Sequence, residues 1–337
     1  MRLMQPSEIF FNHVGRLRSG WRFAIYIGSL MLAIPLLFTA AAILLGILGL
    51  MGAGLLEGVW GWVLQAFILL AAATLLGWGC GRLFEDLPAR ALGWGLTRGW
   101  LRDWLLGSLV GAASLALATL LAVIFGGFSF TFNGAAAWTA TGKTLFLSGL
   151  VFILAAAAEE ALFRGYPLQT MTRAGLAWVA MVLTSVIFSA VHLKNPNVVR
   201  GFTFINTALA GVWLAVAYLR TRNLWFPLGV HWSWNWMMGA VLGLPVSGIS
   251  DLTPNPLLRA AAVGPTWLTG GAYGIEGGAA CTLALIISTI FVWRTGLLNA
   301  SDEMKRFTEH EIPKPEQTRI SNGTTNTADE EAVISNL

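Results

Sequence analysis

In the stretch Ala155-Ala156-Ala157-Ala158-Glu159-Glu160-Ala161-Leu162-Phe163-Arg164, two carboxylates and a guanidinium close an apolar run. Glu160 and Arg164 stand four apart, on one face of a helix, so they can pair and offset part of their own desolvation. Glu159 is left without a local partner, and two adjacent carboxylates in a low dielectric cannot both ionise cheaply. Two more pairs repeat the four-residue spacing: Phe188 with His192, and His231 with Asn235. A carboxylate, two imidazoles and an amide facing one cavity suit hydrolysis of an acyl bond by water, with no covalent nucleophile. Glu159 would act as general base with help from His192, and His231 and Asn235 would donate to the tetrahedral oxyanion. Glu159, His192 and His231 could instead hold zinc and leave one position for water. The helical HExxH arrangement is absent, which favours the reading without a cofactor.

The elements that must position these groups are hydrophobic. Of 337 residues, 56% are apolar and only 11% charged, with a mean hydropathy of +0.67, a composition that calls for lipid as the main solvent. Runs of about 20 apolar residues, enough to cross a hydrocarbon core of about 30 Å, recur near 23–50, 59–81, 104–126, 144–171, 175–195, 201–220, 224–244 and 277–298. Backbone groups in lipid must be satisfied internally, so these runs are helices. The expected fold is an all-α polytopic membrane bundle of about eight transmembrane helices. Thr172-Arg173-Ala174-Gly175 marks the turn between the fourth and fifth spans. Glu159 and His192 are nearly equidistant from it, about 25 Å at 1.5 Å per residue, so an antiparallel hairpin brings them to one depth. His231 follows its own turn by only about 13 Å. Pro227 and Gly229 point to a broken or re-entrant entry that would reconcile the two depths.

Charge sets the expected topology. Seventeen of the 21 basic residues, Arg164 and Arg173 among them, fall on one side, with Lys143, Lys194, Arg200 and Arg259 on the other. The positive-inside rule then puts both termini in the cytoplasm and accounts for the net charge of +4 without a nucleic-acid partner. Cys80 and Cys281 fall on opposite sides and cannot meet disulfide geometry. Gly107 and Gly111 form a small-xxx-small pair suited to close helix packing. Residues 1–22 read as a cytoplasmic N-terminal segment, 23–143 as scaffold helices and 144–244 as the chemical core. Residues 245–276 read as an extramembrane loop able to cap the site, 277–298 as the last span and 299–337 as a disordered cytoplasmic tail. His13 and His310 are expected at the surface, and the Asn322-Gly-Thr sequon is read as accidental. Trp232, Trp234 and Trp236 are expected to pack or to lie at an interface rather than to grip substrate.

Glu159-Glu160-x-x-x-Arg164, Phe188-x-x-x-His192 and His231-x-x-x-Asn235, in this order over about residues 144–240, resemble the three motifs of the CPBP family. That family comprises CAAX prenyl endopeptidases and bacterial bacteriocin-processing or immunity-type relatives. The resemblance implies Glu159 and His192 as water-activating residues and His231 and Asn235 as oxyanion or positioning groups. Glu160, Arg164 and Phe188 would support them. It implies an intramembrane endopeptidase, of glutamate type rather than zinc-dependent, acting on a membrane-associated peptide or membrane protein: CAAX-like, lipidated or bacteriocin-like. Its expected place is the plasma (inner) membrane of a bacterium, in contact with lipid. The alternatives are a non-catalytic scaffold or immunity protein of the same fold, or a proton-coupled transporter, whose paired broken helices are not seen.

Overall fold

A computed structural model describes residues 6–50, 54–134 and 137–313. Arg2, Lys314, Arg319, the Asn322 sequon and the tail expected beyond 313 lie outside the described residues. The chain is mostly helical. Its elements are α1 (Pro6–Phe10), α2 (Ser19–Ile47), α3 (Gly58–Glu85), α4 (Trp100–Ile124), β1 (Phe128–Phe132), α5 (Trp138–Phe163), α6 (Tyr166–Arg173) and α7 (Ala177–His192). They continue with α8 (Phe202–Thr221), α9 (Trp225–Trp236), β2 (Leu258–Ala262), α10 (Thr266–Thr269), α11 (Ala279–Arg294) and α12 (Asp302–Thr308). The strands β1 and β2 form an antiparallel pair with Phe130 opposite Ala260.

Among the described residues, five stretches are long and apolar enough to cross a membrane: Ser19–Ile47, Gly58–Glu85, Trp100–Ile124, Trp138–Arg173 and Phe202–Thr221. Apolar side chains such as Met31 (71% exposed) and Leu36 (68% exposed) cover the outside of α2, as lipid-facing helices require. The protein is an integral membrane helical bundle. Three of the eight expected spans are shorter. The helices α7 and α11 are apolar but have 16 residues each, and the segment expected at 224–244 is a 12-residue helix running into a π turn, Met237–Val241.

Several expectations change in detail. The fourth span is two helices broken at Gly165, whose backbone (φ −67°, ψ −134°) leaves the helical region between α5 and α6. A side chain there would strike the carbonyl of Ala161. Pro227 does not break α9, because it lies in the first turn, where no intrahelical N–H bond is lost. Gly229 instead lets α9 approach α4: a Cβ there would fall on Trp104 backbone, and one at Gly107 or Gly111 would fall on the carbonyl of Phe226 or Val230. The small-residue pair read from the sequence therefore seats the helix that carries His231 and Asn235.

The described chain ends meet, Asn12 and Arg22 both reaching Glu311. Where the described chain ends meet there is a charged cluster that the sequence did not reveal. Glu85 accepts from Arg173 at 2.8 and 2.9 Å and pairs with Arg22 at 2.6 Å. Thr170 donates to it at 3.1 Å. Arg22 lies inside α2, fully buried, rather than ahead of the first helix, and it also pairs with Glu311. The described part of the stretch after 299 includes a helix held against the bundle. Ser301 caps α12 through Met304 N–H, and Arg173 Nη1 donates to the Phe307 carbonyl at 3.3 Å. Cys80 and Cys281 are free and buried, as expected, and His13 and His310 are exposed.

Candidate active site

The break at Gly165 turns α6 away, so the end of α5 stays inside the bundle and carries Glu159, Glu160 and Arg164 with it. Arg164 is 1% exposed, so it belongs to the bundle interior and not to the surface hairpin assumed from charge counting. Its Nη1 donates to Glu160 Oε1 at 3.2 Å, the pair expected from the four-residue spacing. Its Nη2 donates to the Gly211 carbonyl of α8 at 3.1 Å. The guanidinium also lies 4.7 Å from the Phe188 ring centroid, a cation–π contact. Glu160 is completely buried, and the same Oε1 meets His231 Nδ1 at 2.8 Å.

These contacts fix the roles of the ring nitrogens. A carboxylate already paired with a guanidinium acts as an acceptor, so His231 Nδ1 is the donor in that bond. His231 Nε2 is then directed to Glu159, with Oε2 3.6 Å away. That is too long for a direct hydrogen bond, and Glu159 Oε2 is itself buried with no hydrogen-bond partner among the described residues. Glu159 keeps 29% of its side chain exposed, unlike its neighbour. One turn of α5 thus divides two adjacent acids into a buried anchor, Glu160, and an accessible group, Glu159.

His192 arrives on the last residue of α7. Its Nδ1 lies 2.8 Å from the Phe188 carbonyl, which can only accept, so Nδ1 carries a proton and Nε2 is the free nitrogen. Phe188 sits between the groups, its ring 4.5 Å from His192 and 6.2 Å from His231. Phe163 meets it edge-on at 5.2 Å. Asn235 is one turn beyond His231 on α9, and its amide has no hydrogen-bond partner among the described residues.

Glu159, His192, His231 and Asn235, together with Phe188, line one cavity of about 330 Å³. Glu160 and Arg164 stand behind it. The sequence reading placed Glu159 and His192 together, and they share this cavity. The direct neighbour of Glu159, however, is His231. Among the described residues no group of three or more His, Cys, Asp or Glu side chains is arranged to hold a metal ion. The zinc set considered above, Glu159, His192 and His231, is not gathered as ligands around one point.

Sequence reasoning missed part of the wall. Asn195, Asn206, Trp213, Ser247 and Glu276 line the same cavity. From residues 245–276, Val246, Ser247, Ile249, Leu252 and Glu276 line the cavity. Glu276 Oε1 accepts from Trp234 Nε1 at 3.1 Å, and Oε2 accepts from the Ser247 N–H and Oγ at 2.7 and 2.9 Å. Asn206 Nδ2 donates to the Glu276 and Gly278 carbonyls at 2.7 and 2.9 Å. A glutamate directly before a glycine pair in a loop otherwise rich in Pro and Gly was the available signal. Of the three tryptophans around the third motif, Trp232 stacks between Trp104 and Trp236 as packing. Trp234 reaches the cavity.

The cavity gathers an accessible carboxylate, two oriented imidazoles and a free amide, groups whose chemistry suits activation of a water. Residues 141–237 match the family model described as type II CAAX prenyl endopeptidase Rce1-like. The match spans all three motifs, and the family resemblance read from them holds over this segment. No curated protein and no solved structure matches the chain.

Proposed function

We propose that the protein is an intramembrane endopeptidase that hydrolyses a peptide bond in a membrane-associated substrate, with Glu159 as the general base. The observation that carries this reading is the division of the two acids. Glu160 is consumed by Arg164 and His231, while Glu159, 3.6 Å from His231 Nε2, faces the cavity.

In the proposed reaction a water lies between Glu159 and the scissile carbonyl. The Glu159 carboxylate removes a proton as the water oxygen attacks the carbonyl carbon, and the C=O electron pair moves onto oxygen. Asn235 offers its amide N–H groups to that oxyanion. His192, with Nδ1 tied to the Phe188 carbonyl, presents Nε2 to the water or to the departing amine. As the tetrahedral intermediate collapses, the C–N bond breaks and the amine leaves with the proton Glu159 took up. His231 is held in one ring orientation by Glu160, and its Nε2 shares the proton on Glu159. No step is assigned to a metal. We read both termini as cytoplasmic from the distribution of basic residues.

The test is cleavage of a panel of membrane-associated peptides by the protein purified in detergent. Wild type is compared with Glu159→Ala and His192→Ala, with and without a strong chelator. Loss of cleavage in both variants, with wild-type cleavage unaffected by chelator, is the expected result. Loss with chelator moves the chemistry to zinc. Variants that cut as fast as wild type overturn the assignment.

A further inference from the structure

The end of α7 that carries His192 is lightly held. Ser189 Oγ donates to the Phe204 carbonyl of α8 at 2.7 Å, but from Ala190 to Asn197 the chain is exposed except at His192 and Asn195, which are half-buried. His192 is the last residue of the helix, and its Nδ1 bond to the Phe188 carbonyl lies within α7 itself. Helix ends fray, so a side chain there keeps one position only with support from outside the helix.

That support is a tight turn in the cavity wall. Val246 and Ile249 exchange both backbone hydrogen bonds at 2.9 Å, and the residues between them, Ser247 and Gly248, have φ of +49° and +83°. A serine rarely holds that conformation unless its surroundings fix it. Here they do. The Ser247 N–H and Oγ donate to Glu276 Oε2 at 2.7 and 2.9 Å, and the Gly248 N–H donates to the Tyr273 carbonyl at 2.9 Å. On the other side Asn195 Nδ2 donates to the Ser247 carbonyl at 3.1 Å, and Asn197 Nδ2 to the Gly248 carbonyl at 3.3 Å. A Cβ at Gly248 would strike the Pro196 carbonyl, so the turn lies directly against the segment that follows His192.

Glu276 is itself fixed from behind. Its Oε1 accepts from Trp234 Nε1 of α9 at 3.1 Å, and its backbone carbonyl accepts from Asn206 Nδ2 at 2.7 Å. A continuous chain of hydrogen bonds thus runs from α9 through Glu276 and the turn to Asn195, three residues past His192. Three donors converge on the two oxygens of Glu276, which suits a carboxylate; an amide in its place keeps one acceptor and turns an NH2 group against a donor. His231 is held separately, by Glu160.

We infer that Glu276 is a positioning residue: it fixes the Ser247 turn, and the turn, through Asn195, fixes His192 at the cavity. That His192 so placed serves hydrolysis rests on the protease reading; the tether does not.

The chain has four histidines, His13, His192, His231 and His310, so full-length protein in detergent, carbon-13-labelled at histidine Cε1, gives a ring spectrum that His192→Gln and His231→Gln variants assign. Glu276→Gln is expected to shift or broaden the His192 signal and leave that of His231 in place. Asn195→Ala, which changes no charge, is expected to do the same, and the double variant to add nothing further, because both break one chain. A His192 signal unmoved in folded Glu276→Gln overturns the inference. A shift in Glu276→Gln but not in Asn195→Ala also overturns it, since the carboxylate then acts by its charge alone. If Glu276→Gln does not fold, Asn195→Ala decides, and an unmoved His192 signal there is again fatal. Peptide cleavage gives the second reading: both variants are expected to lower kcat by about 10- to 100-fold while KM stays within about twofold, the pattern of a displaced group rather than of lost folded protein. Displacement of His192 in a protein whose wild type cuts no peptide sinks the protease reading and leaves the tether. Cleavage by wild type with the His192 signal indifferent to both variants does the reverse.

Discussion

Replacing Arg164 by Met removes the positive member of the Arg164–Glu160–His231 chain while keeping a flexible apolar side chain in its place. At 3.2 Å and an effective dielectric near 20, the lost Coulomb attraction is about 5 kcal/mol. The hydrogen bond to the Gly211 carbonyl and the contact with the Phe188 ring disappear as well. Some of this is returned because the guanidinium no longer has to be desolvated. The carboxylate of Glu160, fully buried, then keeps His231 as its only partner. Breaking one side of a buried pair costs about 3–5 kcal/mol, and that is the destabilisation expected for Arg164→Met. Glu160→Gln/Arg164→Met removes both charges and should lose about 1–3 kcal/mol less than the sum of the single variants. The assay is reversible unfolding of purified protein in mixed detergent micelles, with all four corners of the cycle measured at one pH. An Arg164→Met variant within about 0.5 kcal/mol of wild type, or a cycle that is additive, would refute the reasoning, since a pair that isolated cannot be silent.

Other outcomes follow from the same geometry. Asn235→Ala should lower kcat by about 100- to 1000-fold with little change in KM, and it should leave the unfolding midpoint unchanged, because the amide has no partner to lose among the described residues; steady-state kinetics and a thermal scan check both. Gly111→Leu drives a side chain into Val230 and Ser233 of α9 and should cost at least about 1–3 kcal/mol, whereas Gly142→Ala, with open space around it, should be neutral or slightly stabilising. Glu85→Ala leaves the buried guanidinium of Arg173 without its carboxylate and Arg22 with Glu311 alone, so a loss of about 3–5 kcal/mol is expected in the same unfolding assay, with cleavage per folded molecule preserved.

The pairs that line or back the cavity were legible because each motif is local: i,i+4 spacing places Glu160 beside Arg164 and His231 beside Asn235, whatever the helices do elsewhere. The hairpin turn near Gly175 was enough to bring Glu159 and His192 into one cavity. The contact between His231 and the two glutamates was not legible, since it depends on how deeply α9 sits against α4, and that follows from Gly107, Gly111 and Gly229 acting together. Pro227 misled for a related reason: a proline in an apolar run reads as a break until its place in the first turn is known. The Arg22–Glu85–Arg173 cluster was hidden because its members come from three distant segments, and each, taken alone, looks like a charge at the end of a span. Glu311 and α12 were hidden by the polar composition of the chain after 299, which resembles disorder even where one carboxylate reaches a buried arginine. The cap residue Glu276 has no partner within its own stretch of sequence apart from the loop it closes.

Cleavage by Glu159→Gln, compared with wild type on the best peptide of the panel, bears most directly on the assignment of the base. Glutamine preserves the size of the side chain, and His231 Nε2, at 3.6 Å, is beyond hydrogen-bond distance, so no bond is lost. The unfolding midpoint should therefore stay at the wild-type value while kcat/KM falls by about 100- to 10,000-fold, the contribution of a positioned general base. A folded Glu159→Gln protein that cuts at the wild-type rate would contradict the assignment of Glu159 as the base.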